Sequence, residues 1–125
     1  MELGRRLGVD NFYKYLEKYG MTKKTGIDLS GEGTPIIVKK ENCGPVELAT
    51  QAFGQSSAYT PIQLAMDAIA SVNGGNLLQP YILKQIETCN KEIVFQKSVQ
   101  IKNNVISSKT SNLMKYVLEC VCALG

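Results

Sequence analysis

The chain has 125 residues, with 14 Lys and Arg against 11 Asp and Glu and 44% hydrophobic side chains, the size and composition of one ordinary soluble domain. It contains no histidine, which excludes Ser-His-Asp and Cys-His catalysis, His-containing zinc sites and the facial iron triad. A net charge of +3 on scattered lysines is too small for a typical nucleic-acid-binding domain. No apolar run approaches the ~20 residues of a membrane span, and the N-terminus lacks the apolar segment of a signal peptide.

The spacing of the four cysteines disfavours a metal site. Cys43, Cys89, Cys120 and Cys122 form no C-x-x-C pair, and the last two would point in different directions on a helix. The sequence leaves a disulfide between distant cysteines open, although four in 125 residues are too few for a disulfide scaffold. We expect free, mostly buried thiols, and no metal or other cofactor.

A first helix is predicted over residues 10–19. Asp10 is placed to cap it, three apolar residues follow at i, i+4 and i+7, and Gly20 stands where a left-handed C-terminal residue is favoured. Residues 1–7 carry two leucines four apart without a cap, which indicates the tail of a preceding helix in a chain cut from a longer one.

A second helix has the strongest local signal in the chain. Thr60 can cap it, Pro61 suits the first helical position, and Gln63 can reach back to complete a capping box. The apolar spacing that follows predicts a buried helix. Its predicted packed stripe is Leu64, Ala65, Ala68, Ile69 and Val72.

A third helix is predicted from Ser107 or Ser108 to Gly125, because apolar residues recur there at helical spacing. Its predicted broad apolar face comprises Leu113, Met114, Val117, Leu118, Val121 and Cys122.

The remaining segments predict short strands and loops. Residues 81–86 and 93–95 read as a β-hairpin around a turn at 90–92. Residues 25–38 are glycine-rich and predict a loop with one short strand, whereas 45–52 fit either a helical turn or a strand. The expected fold is therefore α+β and helix-rich, with about three main helices and a small β-hairpin.

Without histidine, a serine nucleophile with a lysine base is the remaining arrangement to test. Such enzymes combine S-x-x-K, which places Ser and Lys one helical turn apart, with S-x-N and K-T-G. The chain has K-T-G at 24–26 and S-x-N at 71–73, but none of its eight serines has Lys three positions later. Both matches fall at predicted helix ends, so we interpret them as coincidences and expect no catalytic residue.

Longer sequence blocks occur in a fixed order along the chain. They are K-T-G-I-D-L-S-G-E at 24–32, A-F-G-Q at 52–55, T-P-I-Q at 60–63 and N-G-G at 73–75. Together they closely resemble the transpeptidase domain of class B penicillin-binding proteins. G-E-G-T at 31–34 and G-P-V-E at 44–47 are similar to the group of stage V sporulation protein D and the division transpeptidases. The resemblance extends over residues 3–121.

The resemblance implies where the chain lies in such a domain. In that family the S-x-x-K and S-x-N motifs precede the segment that matches Met1, and the catalytic K-T-G follows the segment that matches Gly125. Residues 1–125 would thus be a scaffold fragment of the penicillin-binding transpeptidase (β-lactamase-like) fold, between the second and third catalytic motifs. We therefore expect no catalytic, cofactor-binding or metal-binding residue in this chain.

The resemblance also implies what the whole protein does. It would cross-link peptidoglycan stem peptides through a serine acyl-enzyme during cell-wall or spore-cortex synthesis, and β-lactams would acylate the same serine. It would act on the outer face of a bacterial membrane, held by an N-terminal anchor, while the present chain would be soluble and inactive. No nucleic-acid partner is implied.

Four polar positions in these blocks need a separate interpretation. Ser56 replaces the glycine that usually follows F-G-Q in the family, so the resemblance does not carry the family's backbone conformation over to this turn. Glu32, Gln55 and Thr60 are candidate functional residues, but loop anchoring and helix capping explain them more simply.

A stand-alone interaction module is the alternative to a transpeptidase fragment. Such a module would fold as a monomer with a polar exterior. A fragment would instead expose an apolar face and form homodimers or aggregates through it. The two hypotheses therefore differ in whether the chain exposes an apolar face.

Overall fold

The computed structural model describes residues 2–124, and it confirms an α+β fold. Within that range it has four α-helices rather than the three predicted, one 3-10 helix and two antiparallel strand pairs. The helices are α1 (Glu2–Lys18), α2 (Pro45–Ala52), α3 (Pro61–Val72) and α4 (Ser108–Leu124), and the 3-10 turn is Lys40–Asn42. The strands are β1 (Asn76–Leu78), β2 (Gln85–Glu87), β3 (Ile93–Gln96) and β4 (Ile101–Asn104).

Helix α1 joins the predicted helix tail to the predicted first helix across a kink. Gly8 has φ 75° and ψ 161° and interrupts the helical backbone. The prediction that Asp10 caps the second half is wrong. The helix has already resumed after Gly8, so Asp10 lies within it and not at its start. The Asp10 carboxylate instead lies 2.9 Å from the Lys40 ammonium. Gly20 has the predicted left-handed conformation, with φ 73°.

Helix α2 settles the ambiguous segment at 45–52. Pro45 occupies the first turn, and the Gly44 N–H donates to the Glu47 carboxylate at 2.9 Å, which satisfies a free amide at the helix start. Its Leu48 packs with Tyr13 of α1 and Cys43 in one of two core clusters.

The two strand pairs differ in how well the sequence predicts them. The hairpin of β2 and β3 is confirmed, with Ile86 opposite Phe95, but its first strand begins at Gln85 and not at residue 81. The pair of β1 and β4, with Leu77 opposite Asn103, was not predicted. The strand expected within 25–38 is reduced to a single bridge between Ile36 and Ala58.

Helix α3 packs with the opposite side from the one predicted. Its buried residues are Gln63, Met66 and Ala70, and Met66 and Ala70 form the second core cluster with Leu77 and Val105. The predicted stripe is wrong for this chain, since Val72 is only half-buried and Leu64, Ala65, Ala68 and Ile69 are exposed.

Helix α4 also leaves its predicted apolar face outside the core. The face is correctly periodic, but Ser111 is the buried residue of the helix among those described. Six exposed apolar side chains form what we call the outer apolar faces of α3 and α4. They are Leu64 and Ile69 on α3 and Leu113, Val117, Leu118 and Val121 on α4.

The cysteines are free, as expected, but the prediction that most are buried is wrong. Cys43 is buried, Cys120 is half-buried, and Cys89 and Cys122 are exposed, because the hairpin turn and the outer side of α4 carry them. Across residues 2–124 no helix combines the length and apolarity needed to cross a bilayer. That part of the chain also contains no cluster of three or more Cys, Asp or Glu side chains suited to a metal.

Candidate functional site

The loop at 24–33 is organised around the Glu32 carboxylate. One carboxylate oxygen accepts from the Thr25 N–H and hydroxyl, both at 2.5 Å, and the other accepts from the Gly26 N–H at 3.0 Å. Partial burial acts to raise the pKa of Glu32, but these hydrogen bonds and the Lys24 charge outweigh it and lower the pKa. Glu32 therefore acts as a charged loop anchor.

Asp28 connects the same loop to the segment that enters the hairpin. Its carboxylate oxygens accept from the N–H groups of Ile82 at 2.7 Å and Leu83 at 3.2 Å, and the Lys97 ammonium lies 3.6 Å away. These backbone hydrogen bonds, led by that of Ile82, lower the pKa of Asp28. The K-T-G-I-D-L block is thus a structural loop held by two carboxylates.

Helix α3 is tied to this loop through its N-terminal capping box. The Gln63 N–H donates to the Thr60 hydroxyl at 3.3 Å, and the Gln63 side-chain oxygen accepts from the Thr60 N–H at 3.0 Å, as predicted. The Gln63 amide nitrogen also donates to the Lys23 carbonyl at 2.8 Å. Gln63 is therefore both a cap and a link between α3 and the chain before the loop.

The N-G-G block forms a tight junction after α3. Asn73 makes two hydrogen bonds of 2.8 Å with the backbone of Asn76. The Gly74 N–H donates to the buried Ser111 hydroxyl at 3.0 Å, and that hydroxyl donates to the Ser71 carbonyl at 3.0 Å. The apparent S-x-N motif at 71–73 is accordingly the C-terminal end of a helix joined to α4.

The turn that follows A-F-G-Q has a left-handed backbone at Ser56. Ser56 has φ 64°, which glycine adopts more easily. Its hydroxyl donates to the Thr50 hydroxyl at 3.2 Å, and the Gln55 N–H donates to the Thr50 carbonyl at 2.9 Å. These contacts place Gln55 in a turn held by the end of α2.

The two motif matches do not come together as a catalytic pair. In the described chain, the serine hydroxyls that form hydrogen bonds do so with backbone atoms or with Thr, Gln and Tyr side chains. Ser71 donates to the Asp67 carbonyl at 3.0 Å, while Lys24 is exposed at the start of the loop. That the catalytic residues lie outside this chain stays a prediction.

One buried polar cluster lies outside all of these blocks. The Tyr13 hydroxyl donates to the Val38 carbonyl at 2.6 Å and accepts from the Gln51 side chain at 3.2 Å, while Gln51 also lies 3.5 Å from the Cys43 sulfur. Burial raises the pKa of Tyr13. Because its members come from three separated segments, no local pattern in the sequence indicates the cluster.

Two cavities flank the end of α1. The first, of about 220 Å³, lies between Gly20, Met66 and Leu77 and has a lysine-rich rim; we call it the basic cavity. The second, of about 280 Å³, is lined by apolar side chains of α1 and by Asp67 of α3; we call it the apolar cavity. Burial of the Asp67 carboxyl raises its pKa to about 7.

Comparison with known proteins gives a consistent result. The family model of the penicillin-binding protein transpeptidase domain matches residues 1–124. Stage V sporulation protein D of Bacillus subtilis is 48% identical over 126 residues, covering 100% of this chain and 20% of that protein. Penicillin-binding protein H of Bacillus subtilis is 31% identical over 78% of this chain and 14% of its own length. The chain thus spans about a fifth or less of these curated relatives.

Solved structures show the same fold. Penicillin-binding protein 3 from Mycobacterium tuberculosis, solved with aztreonam, superposes with a TM-score of 0.87 over 96% of this chain and 27% of that chain, at 23% identity. The D,D-transpeptidase domain of a peptidoglycan glycosyltransferase from Eggerthella lenta gives 0.81 over 99% and 33%, at 25% identity. The chain belongs to the penicillin-binding protein transpeptidase domain family.

Proposed function

We propose that residues 1–125 are scaffold of a peptidoglycan D,D-transpeptidase, the interval between its S-x-N and catalytic K-T-G motifs. The observation that carries this proposal is the match of the family model to almost the whole chain, which nevertheless has no serine with Lys three positions later. The relatives are several times longer, which leaves room for the missing motifs. A stand-alone interaction module is not favoured, because it does not account for this similarity.

The whole protein would use a serine outside this chain. That serine attacks the carbonyl of the penultimate D-Ala of a stem peptide and releases the terminal D-Ala. The acyl group then passes to the amine of a neighbouring stem, and a β-lactam acylates the same serine. We place this reaction on the outer face of a bacterial membrane, with the protein held by an N-terminal anchor.

The present residues would contribute position rather than chemistry. Glu32 and Asp28 hold the loop at 24–33, and Gln63 joins α3 to Lys23, the residue before that loop. The outer apolar faces of α3 and α4 are exposed here, which fits helices whose partners belong to the rest of the domain. In isolation we expect these faces to pair two copies of the chain.

Labelling with a fluorescent penicillin tests the catalytic part of the proposal. We expect no covalent adduct on the purified 125-residue chain, and a stoichiometric adduct on a longer protein that includes S-x-x-K and the second K-T-G. An excess of unlabelled penicillin controls for non-covalent staining. A stoichiometric, competed adduct on the 125-residue chain alone would overturn the proposal.

Analytical ultracentrifugation tests the pairing of outer apolar faces. We expect the triple variant Leu113→Gln, Val117→Gln and Val121→Gln to sediment as a monomer at concentrations where the parent chain self-associates. The matched control changes three similarly exposed residues elsewhere, Ile82→Gln, Val94→Gln and Val99→Gln. Equal self-association of both triple variants and the parent chain would contradict an interface on α4.

A further inference from the structure

The basic cavity has an apolar floor and a charged rim. Met66 and Leu77 on its floor are buried members of the core. Gly20 closes one side, where a Cβ would lie 3.2 Å from the Leu77 side chain, so the absence of a side chain brings the chain close to β1. The cavity is therefore built from three different segments around an existing core.

The rim carries more positive than negative charge. Four lysines line it, Lys18, Lys23, Lys24 and Lys102, together with the carboxylate of Glu17. The Glu32 carboxylate, which accepts hydrogen bonds from Thr25 of the lining, offsets one further charge. The local charge stays positive and favours the approach of anions.

The lysines of the rim form no ion pair in the described chain, although Lys18 and Lys102 have other partners. The Lys18 ammonium lies 5.5 Å from the centroid of the Tyr15 ring, a cation–π distance. Within residues 2–124, none of their ammonium groups lies within ion-pair distance of a carboxylate. Lys102 donates to the Thr25 carbonyl, which leaves further donors on its ammonium group. Lys24 lies close enough to Glu32 to help lower the pKa of that carboxyl, so Glu32 screens part of its charge.

The backbone carbonyls at the rim are already occupied by side chains of the protein. Asn103 donates to the Lys18 carbonyl at 3.2 Å, and Gln63 donates to the Lys23 carbonyl at 2.8 Å. These contacts occupy two of the acceptors that would repel an anion.

The charge of the rim favours an anion with more than one negative charge. A phosphate monoester carries about 1.5 to 2 negative charges near pH 7 and has three acceptor oxygens, which is more than a carboxylate offers. The ammonium groups of lysine bind such a group as point charges with three donors each. The cavity volume of about 220 Å³ is below the range of roughly 300–1,000 Å³ of ordinary ligand pockets, so the cavity fits a small head group with a short apolar part. We propose that the basic cavity binds a phosphate monoester, with the phosphate among the lysines and its apolar substituent on Met66 and Leu77.

Calorimetric titration of the full 125-residue chain with phenyl phosphate at low salt tests this proposal. We expect saturable binding with one site per chain, weakened by added NaCl. The double variant Lys23→Gln and Lys24→Gln removes two exposed rim charges and should weaken binding about tenfold or more. The control variant Lys109→Gln and Lys115→Gln removes two exposed charges from α4 and should change the affinity less than about threefold.

Two further measurements complete the test. Circular dichroism establishes that both double variants keep the fold, and chemical-shift changes at Gly20 and Leu77 on adding phenyl phosphate report binding at the cavity itself. Flotation with phosphatidylcholine vesicles, with and without phosphatidic acid, separates a lipid phosphate from a soluble one. Binding of phenyl phosphate supports the proposal whether or not the chain also floats with the vesicles that contain phosphatidic acid. No saturable binding, or equal weakening by both double variants, would overturn it without affecting the penicillin-labelling result.

Discussion

The loop at 24–33 and the outer apolar faces of α3 and α4 are stabilised in opposite ways. The loop has little apolar burial, yet Glu32 and Asp28 together accept five backbone or side-chain hydrogen bonds. The helices carry large apolar side chains that remain exposed. Within the described residues nine hydrophobic residues are buried, whereas 22 large ones are exposed. The polar loop is thus complete within the chain, and the apolar burial is not.

This difference has an energetic consequence. Burying one Leu-sized side chain stabilises a fold by about 1.5–3 kcal/mol, and about half of that stabilisation is missing on the outer faces, whose residues are 40–62% exposed. A chain with so small a core depends strongly on its backbone junctions and hydrogen bonds. Substitutions at those contacts should therefore have large effects relative to the total stability of the chain.

The largest expected loss is at Gly75, where β1 meets the start of α4. A Cβ at this position would lie 1.9 Å from the Ile106 carbonyl oxygen, and φ is +90°. Gly75→Ala should therefore cost at least about 3 kcal/mol, because both backbones must shift. Urea denaturation followed by circular dichroism measures the change.

The control for this substitution is Gly31→Ala. Gly31 has a similar φ of +84°, but a Cβ there would meet nothing within 4 Å. It should cost about 1–2 kcal/mol from the left-handed backbone alone. Equal losses at the two positions would show that the close approach to Ile106 contributes nothing.

The next largest effect is expected on the polar loop. Glu32→Gln replaces one acceptor oxygen by an amide that faces backbone N–H donors, and should cost about 1–3 kcal/mol. Because the folded-state pKa of Glu32 is lowered, its contribution is present above the unfolded pKa of about 4.5 and is lost as the pH falls through the folded-state pKa. The difference between variant and parent should therefore shrink in acid.

Urea denaturation at pH 7 and at pH 3 measures this difference. Glu41→Gln is the matched control, since Glu41 is exposed in the 3-10 turn, and it should change stability by less than about 0.5 kcal/mol. A loss at Glu32 that is as small as at Glu41 would contradict the anchoring role.

The sequence predicts contacts between close neighbours better than contacts between distant segments. Thr60, Pro61 and Gln63 stand within one turn, so their side chains and backbone form the capping box whatever the rest of the chain does. The left-handed conformation of Gly20 is also predicted from residues close in sequence, those of the helix that ends just before it. The hairpin of β2 and β3 follows from a short turn between two apolar runs.

The errors arise where a distant residue decides the outcome. The prediction for α3 follows its apolar stripe and leaves Gln63 outside the core. Gln63 is nevertheless buried, because the Lys23 carbonyl, 40 residues away, accepts its hydrogen bond. Strands β1 and β4 have only three and four residues and pair across the intervening hairpin, so neither shows a clear alternating pattern. The Tyr13 and Gln51 cluster likewise joins residues 38 positions apart.

Asp67 is an exception to the separation of polar and apolar contacts, because its carboxyl group lies among apolar side chains. Replacing it should therefore stabilise the chain. The Asp67 carboxyl lies at the apolar cavity, beside Leu7 and Phe12, and burial raises its pKa to about 7 from 3.8. The folded state therefore binds a proton that the unfolded state has released, and stability falls as the pH rises from about 4 to 7. Asp67→Asn should stabilise the chain by about 1–2 kcal/mol at pH 8, allowing for partial exposure, and by almost nothing at pH 3.

Thermal unfolding at pH 3, 5 and 8 measures this pH dependence. Asp10→Asn is the control of opposite sign, because the hydrogen bond and charge of Lys40 lower the pKa of that exposed carboxyl. It should give a slight loss at neutral pH instead of a gain. Stabilisation by Asp67→Asn that is equal at pH 3 and pH 8 would show that folding does not raise the pKa of this carboxyl.

The smallest expected effect compares two helix caps, one next to the polar loop and one on the exposed α4. Thr60→Ala removes the acceptor for the Gln63 N–H and should cost about 1 kcal/mol, since Gln63 also holds the Lys23 carbonyl. Ser107→Ala removes the acceptor for the Thr110 N–H in an exposed position, where water replaces it at a cost of about 0.5 kcal/mol. Urea denaturation of both variants tests the order. A larger loss at Ser107 would mean that α4, despite its exposed apolar face, is coupled more tightly to the core than the loop beside α3.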